Sequence, residues 1–590
     1  MKWMKRAVLG GAILFMISMY FFDVTIPVVS QAPNGFRGLA HEKAIEQAQI
    51  AREIARGNGF STQMIRPAAL WQFQLNKGAF PIEHPPDTYH APLHPFINAG
   101  IFRMMDAINS GLTSLAKNNS FFLRFTYETT MTTKLVMYAY DKMIAFAQTI
   151  FFLLAVLVSY FTAKRLFDER LAVLGCGLLL LCETFWDFSM SGLPQMLMLL
   201  LFSGATYTLV RAVEAKCEDK SPLWWLVATA AQFGLLALTH ALTIWMFVGA
   251  LFFCAFFFRP MGRHAAIMLG VFLLFYVPWM VRNYQVCGSV VGVGWYGGLH
   301  DVSGSESKVM RSMELDLDPV TPRVFRQKIQ KQTLSQLASL YQYLGSIPLA
   351  LVFFVALLHL FKRPDTGALR WGVLSMWIFA VFGMSLFGFS ESGGPQANNL
   401  HVLFIPLMTF YGLALVLVMW TRLEVNIKLL QRAFIALLLV ISALPFIDNF
   451  LDMIGQPRNR IQWPPYVPPY IAILGQWTNE REIISSDMPW AVAWYADRKS
   501  LWLPISIKDF VELNDYNQLK GQIVGLYLTP ITGNLPFIAN IVKGEYKEWS
   551  PFITRTANIK DFPLKAVTAL PMDNECIFYS DRDRWTNREE

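Results

Sequence analysis

Charge is what this sequence is short of. Asp, Glu, Lys and Arg make up 16% of its 590 residues, where soluble domains carry about 25%. That deficit, beside 54% hydrophobic residues, excludes an ordinary water-soluble enzyme. Cysteine is scarce as well. The six (Cys176, Cys182, Cys217, Cys254, Cys287 and Cys576) show no CxxC spacing, so neither a zinc ribbon nor a disulfide framework is encoded. Cys287 and Cys576 are the one pair open to bridging, should both face an oxidising compartment. The net charge of +8 is not gathered on one basic face, which removes nucleic acid as a partner. Internal repeats and low-complexity tracts are absent. The apolar run 7–22 follows Lys2, Lys5 and Arg6, yet no small-residue cleavage site comes after it. It reads as a retained signal anchor.

What the chain has in quantity is apolar runs. Crossing a hydrocarbon core of about 30 Å takes about 20 residues. Runs near 7–23, 143–163, 171–186, 188–210, 222–239, 241–258, 265–281, 342–361, 371–390, 402–420 and 433–449 read as spans. The stretch 222–258 holds no Asp, Glu, Lys or Arg. As one helix it would be roughly 55 Å long, so it must be a hairpin, with Thr239-His240 as the bend. Glu183 interrupts the third run. Basic knots at Lys2/Lys5/Arg6, Lys164/Arg165/Arg170, Arg211/Lys216/Lys220, Arg259/Arg263, Lys362/Arg363/Arg370 and Arg422/Lys428/Arg432 fall on every second connection. By the positive-inside rule the N-terminus is cytoplasmic and 24–140, 282–341 and 450–590 face outward.

These outer segments are structured. In 42–56, Ala44, Ile45, Ala48, Ala51 and Ala55 recur at helical spacing, which predicts an amphipathic helix on the membrane surface. A Pro-rich linker at 462–470 leads into strand-like EIISS, SLWLP, IVGLYLT and ECIFYS and helix-like PWAVAWYAD and SIKDFVEL. Ser506 and Asp509 pattern as a capping box. The fold class is therefore a polytopic α-helical membrane protein of about eleven spans, with a transmembrane domain over 1–449 and an outer-face α/β domain over 450–590.

Four stretches carry a resemblance: IAREIARGNGFST (50–62), HAPLHPFINA (90–99), PWMVRNYQVCGSVVG (278–292) and SDMPWAVAWYADRKSLWLP (486–504). In this order, and in this placement relative to the spans, the chain resembles the GT-C superfamily of membrane glycosyltransferases. The likeness is to its protein O-mannosyltransferase and aminoarabinose-transferase-like branch and covers most of the chain. It implies a sugar donor on a polyprenyl phosphate, contact with membrane lipid, and an acceptor that is a lipid, glycan or protein. It also implies a catalytic acid on the first outer helix. The family's Asp falls at or beside Lys43, where this sequence has no Asp, so the role passes to Glu42 or Glu46.

That chemistry needs a carboxylate to deprotonate an acceptor hydroxyl and donors for the departing phosphate. Glu42 and Glu46 stand four residues apart, on one helix face. Asp87 is a second acidic candidate, set among His84, His90 and His94. That group could hold a divalent metal, although its Pro-rich spacing is not that of a helical ligand pair, and no cofactor is otherwise called for. Glu183 and Asp187 lie at the outer end of the third span, where similar enzymes carry another acid. Arg282, beside Pro278-Trp279 at a span mouth, is the leading phosphate ligand, with Lys77 and Arg66 as alternatives. A solvated helix face and an interfacial anchor are the ordinary readings of these glutamates and of Arg282.

The patterning lacks the inverted repeats and midplane charges of a transporter. A non-catalytic membrane subunit of the same fold stays open, because the family Asp is absent. A bacterial inner membrane, with the C-terminal domain in the periplasm, is the expected location.

Overall fold

The computed structural model describes residues 41–123, 126–132, 137–389, 394–423, 427–455, 467–515, 521–529, 544–570 and 573–586, with a few isolated positions besides. The signal-anchor run at 7–22 and most of the linker at 462–470 lie outside the described residues.

The chain divides into two compact units. One holds Ala145–Trp279 and Phe325–Gln462, the other Arg37–Ile144, Met280–Val324 and Trp463–Glu590. This differs from a boundary at 449/450, since the C-terminal segment shares its unit with Arg37–Ile144 and Met280–Val324.

The first unit is helical. Among the described residues, five helices of the chain are long and apolar enough to cross a membrane: Ala139–Leu166, Gln195–Cys217, Arg263–Cys287, Pro364–Phe387 and His401–Arg422. The pair Glu169–Leu180 and Glu183–Ser191, bent by 55° at its break, makes a sixth if it is one span. The uncharged stretch does split, into Leu223–Thr239 and Thr243–Phe257, with His240 ending the first helix. Within the run read near 342–361 the helix Pro348–Ala356 forms, preceded by the short helix Leu340–Tyr343.

The second unit is built on a sheet of six strands in the order β1-β3-β2-β4-β6-β5. They are β1 Met64–Ile65, β2 Ile483–Ser486, β3 Lys499–Trp502, β4 Ile523–Leu528, β5 Ala566–Leu570 and β6 Asp573–Ser580. The first four run parallel, β6 is antiparallel to both neighbours, and β1 comes from the Arg37–Ile144 segment. Parallel central strands are buried on both faces, and β2 and β4 are buried at every position. Behind them pack Phe510, Trp549, Phe552 and Phe562 together with Leu70 and Phe73 of the first segment. The helix Ile507–Asp515 begins as its sequence predicts, with the Asp509 N–H donating to Ser506 Oγ at 3.0 Å. Cys287 and Cys576 are both free thiols.

The Glu42–Arg56 helix forms, but it is not a surface helix. Every residue from Ala44 to Ile54 is buried, including Glu46, Gln47, Gln49, Arg52 and Glu53. Alanine periodicity gave the right element and the wrong environment, because the polar face is covered by protein that sequence spacing does not reveal. Exposed apolar residues fall instead on the Leu93–Ala116 helix, at Phe96, Met104, Ile108 and Leu115.

Within this unit the first and last segments are also joined through Asp141. Its carboxylate accepts from Trp494 Nε1 and from Tyr495 Oη, both at 2.8 Å, and all three residues are buried. Asp141→Ala leaves two buried donors unpaired, which costs about 2–4 kcal/mol. Thermal melts of the purified protein should show a lowered midpoint, whereas Asp141→Asn, which keeps an acceptor, falls in between.

Candidate functional site

The Glu42–Arg56 helix is opened by His41, whose Nδ1 accepts from the Lys43 N–H at 3.2 Å. It is closed by Gly57 at φ 92°, whose N–H returns to Glu53 O and Ile54 O. That left-handed position suits glycine because a Cβ would be strained there. The chain then turns through β1 to Arg66, which precedes Pro67 at the start of the next helix.

Burial forces the charges of this region to pair. Arg66 Nη2 lies 2.5 Å from Glu46 Oε2, and Arg66 Nη1 lies 3.4 Å from Asp87 Oδ2. His90 Nε2 reaches the same Glu46 oxygen at 2.6 Å. The other Asp87 oxygen accepts from the N–H groups of Tyr89 and His90 at 2.9 and 2.7 Å, fixing the loop. The Arg66 guanidinium sits over the Tyr89 ring, 4.4 Å from its centroid. Burial opposes ionisation of Glu46, yet Arg66 and His90 overcome it and hold the carboxyl below its ordinary range.

Glu42 is different. It is half-buried, and no hydrogen bond or ion pair holds its carboxylate among the described residues. Burial, reinforced by the charge of Glu46, pushes its pKa up to about 7. Glu42 can therefore exchange a proton near neutrality, while Glu46 is already committed as an anion.

Of the basic candidates, Arg66 is buried in the ion pairs above. Arg282 Nη1 donates to Asp87 O at 2.6 Å and to Asn283 Oδ1 at 3.0 Å, and Nη2 donates to Phe60 O at 3.1 Å. Its fork is thus turned onto the loops that carry Asp87 and Phe60. Lys77 is exposed at the end of the Pro67–Asn76 helix, with the Tyr284 ring 5.9 Å away. His94 is buried between Gln47 and Asn98, at 2.7 and 3.2 Å, and burial pushes its pKa down to about 3.

The histidines near Asp87 do not converge. His90 goes to Glu46, His94 to Gln47, and His84 lines a separate polar cleft with Glu83 and Lys499. Among the described residues, no three His, Cys, Asp or Glu are placed to hold a metal ion. Glu183 and Asp187 belong to the other unit, where they line a cavity of about 530 Å³ with Ser335, Ser339, Gln342 and Asn399.

Sequence reasoning did not find Glu306, which pairs with Lys43 in this cluster. Glu306 opens the short helix Glu306–Arg311 after Ser305, whose hydroxyl caps it by accepting from the Lys308 N–H. A Ser-Glu helix start was legible there, but nothing in the spacing points to a residue 263 positions away.

Two measurements check this geometry without an activity assay. A carboxyl whose folded-state pKa lies above its unfolded value costs stability as pH rises through that interval. Glu42→Gln should therefore raise the melting temperature at pH 8 relative to the parent and leave it unchanged or lower at pH 5. Arg282→Ala removes charged donors from two loop carbonyls, a loss of about 2–3 kcal/mol. A melting temperature equal to the parent's would show that Arg282 does not hold the loops.

Comparison with known proteins follows the same lines. The family model for dolichyl-phosphate-mannose-protein mannosyltransferase matches residues 124–281. No curated protein matches the chain. Among solved structures, the oligosaccharyltransferase of Archaeoglobus fulgidus in complex with Zn and sulfate superposes with a TM-score of 0.53. It is 13% identical, over 92% of this chain and 71% of that one. Apo ArnT from Cupriavidus metallidurans gives a TM-score of 0.52 at 12% identity, over 97% and 98% of the two chains. The oligosaccharyltransferase AglB of A. fulgidus, with an inhibitory peptide and a dolichol-phosphate, gives 0.51 at 12% identity, over 93% and 72%. The resemblance read from the sequence therefore holds: residues 124–281 match the mannosyltransferase family model, and nearly the whole chain shares the fold of these oligosaccharyltransferase and ArnT structures.

Proposed function

We propose that this protein transfers a sugar from a polyprenyl-phosphate donor to an acceptor hydroxyl, with Glu42 as the general base. The observation that carries the reading is the contrast between Glu42 and its neighbours. Glu46 is locked in ion pairs, while Glu42 has no ion pair among the described residues and a pKa of about 7, where a base works best at neutral pH. The acceptor oxygen bonds to the anomeric carbon as its proton passes to Glu42. The bond from that carbon to the phosphate oxygen breaks, and its electron pair leaves with the phosphate. Of the basic candidates, Lys77 is exposed and in no ion pair among the described residues, so we assign it to the departing phosphate. Arg282 then acts through the loops it grips. The fold shared with an AglB structure containing dolichol-phosphate supports this class of donor.

The basic knots support eleven spans with the second unit on the outer face, in the periplasm of a bacterial inner membrane. The exposed Phe96, Met104, Ile108 and Leu115 stripe suits contact with lipid there. Residues 450–590 would complete the outer unit with the first loop. A reporter active only outside the cytoplasm, fused at Glu590 and at Lys216, should signal at the first site alone. Signal at Lys216 instead would reverse the assignment.

Purified protein given a panel of polyprenyl-phosphate sugars should transfer one of them, with a rate that rises with pH through about 7 as Glu42 ionises. Glu42→Gln should lower turnover by about a hundredfold or more while donor binding persists. Lys77→Met should lower it as well, with partial recovery in Lys77→Arg. Parental turnover in Glu42→Gln would remove the base from this position. Absence of transfer by the parent across the panel would favour a non-catalytic subunit, a reading that Lys43 at the family's acid position supports.

A further inference from the structure

Lys43, Tyr89 and Glu306 form a compact group to which the reading above gives no role. The Lys43 ammonium lies 2.5 Å from Glu306 Oε1 and donates to Tyr89 Oη at 2.8 Å. The Tyr89 hydroxyl donates to the same Glu306 oxygen. Lys43 directly follows Glu42, and with Arg66 it is one of the two cations whose charge acts on that carboxyl. Arg66 is committed to Glu46 and Asp87. Lys43, by contrast, is held by one carboxylate on another segment of the chain.

We propose that Glu306 is a positioning residue for Glu42: it holds the Lys43 ammonium against Tyr89, so that Lys43 does not neutralise Glu42 and that carboxyl stays free to accept a proton. The catalytic consequence rests on the role of Glu42 proposed above. The charged and titratable groups around Glu42 are His41, Lys43 and Glu46 on or beside its own helix, Arg66 ahead of the next, Asp87, Tyr89 and His90 on the loop, and Glu306. Glu46 and Glu306 raise the proton affinity of Glu42, and Lys43 and Arg66 lower it. The Lys43–Glu306 pair is firm: burial works against the Glu306 anion, yet Lys43 holds its pKa down at about 2. Neutralising Glu306 removes one raising charge and leaves the Lys43 charge uncompensated. Both changes act in the same direction.

The test uses the full-length purified protein and two readouts. The first is the midpoint of the Glu42 carboxyl titration, taken as the infrared difference between each background and the same background carrying Glu42→Gln. The second is the acid limb of the pH–rate profile for sugar transfer. Glu306→Gln should move the infrared midpoint to lower pH by about one unit, a tenfold loss of proton affinity. Glu306→Asp should restore it, and Lys43→Met combined with Glu306→Gln should bring it back up. A folded Glu306→Gln protein with the parental midpoint overturns the proposal. Should Glu306→Gln fail to fold, Lys43→Met alone must raise the midpoint, and no rise would overturn it equally. If the infrared midpoint moves while the rate profile stays put, Glu306 still governs Glu42, and it is the role of Glu42 as base that fails.

Discussion

Pairing of buried charge on the Glu42–Arg56 helix is the constraint on which the second unit depends. An isolated ion inside protein costs several kcal/mol even after relaxation, so each such group must find a counter-charge or donor. Glu46 finds Arg66 and His90. Arg52 donates to the carbonyls of Trp494 and Ala493, both at 2.7 Å, and lies 2.9 Å from Asp497. Arg56 takes the second Asp497 oxygen at 2.7 Å. The two ends of one helix thereby specify two neighbourhoods, the Arg66–Asp87 loop at its start and the C-terminal segment at its end. Pairs of this kind add little net stability over apolar packing, but breaking one leaves a bare charge. They select a unique arrangement more than they strengthen it.

The same constraint separates acids that resemble each other in sequence. Glu42 and Glu46 share a helix face, yet only Glu46 is deep enough to require partners and near enough to get them. Glu42 sits one turn nearer the helix N-terminus, half-buried, and keeps a carboxyl that titrates. Arg282 illustrates the opposite outcome. A guanidinium at a span mouth looks like a phosphate ligand, but it donates instead to the loop carbonyls of Asp87 and Phe60.

Much of the fold was legible because its signals are local. Apolar runs marked the membrane helices, and the uncharged stretch at 222–258 had to break where it does, since no single helix of that length fits a bilayer. Short strand-like runs marked β2, β3, β4 and β6. β1 was missed because two residues carry no periodicity, and β5 because Ala566–Leu570 is half-exposed with an unremarkable composition. At the site, residue types were readable and partnerships were not. Asp87, Glu46 and Arg66 were all singled out, but for catalysis or phosphate. That they pair with each other follows from chain paths no spacing rule encodes. Glu306 lay wholly beyond such rules.

β1 has a consequence for how the chain is made. Met64 and Ile65 pair with Ser500 and Leu501, so the edge of the sheet waits for residues synthesised long after it. At 5–20 residues per second, the interval is roughly 20–90 s. Throughout it, Arg52 is without Asp497 and the carbonyls of Ala493 and Trp494, and Arg56 is without Asp497. The second unit is therefore a high-contact-order assembly, closed by its last segment. A ribosome that stops before residue 480 releases a protein whose membrane helices are complete and whose charged helix is uncovered, a natural substrate for quality-control proteases.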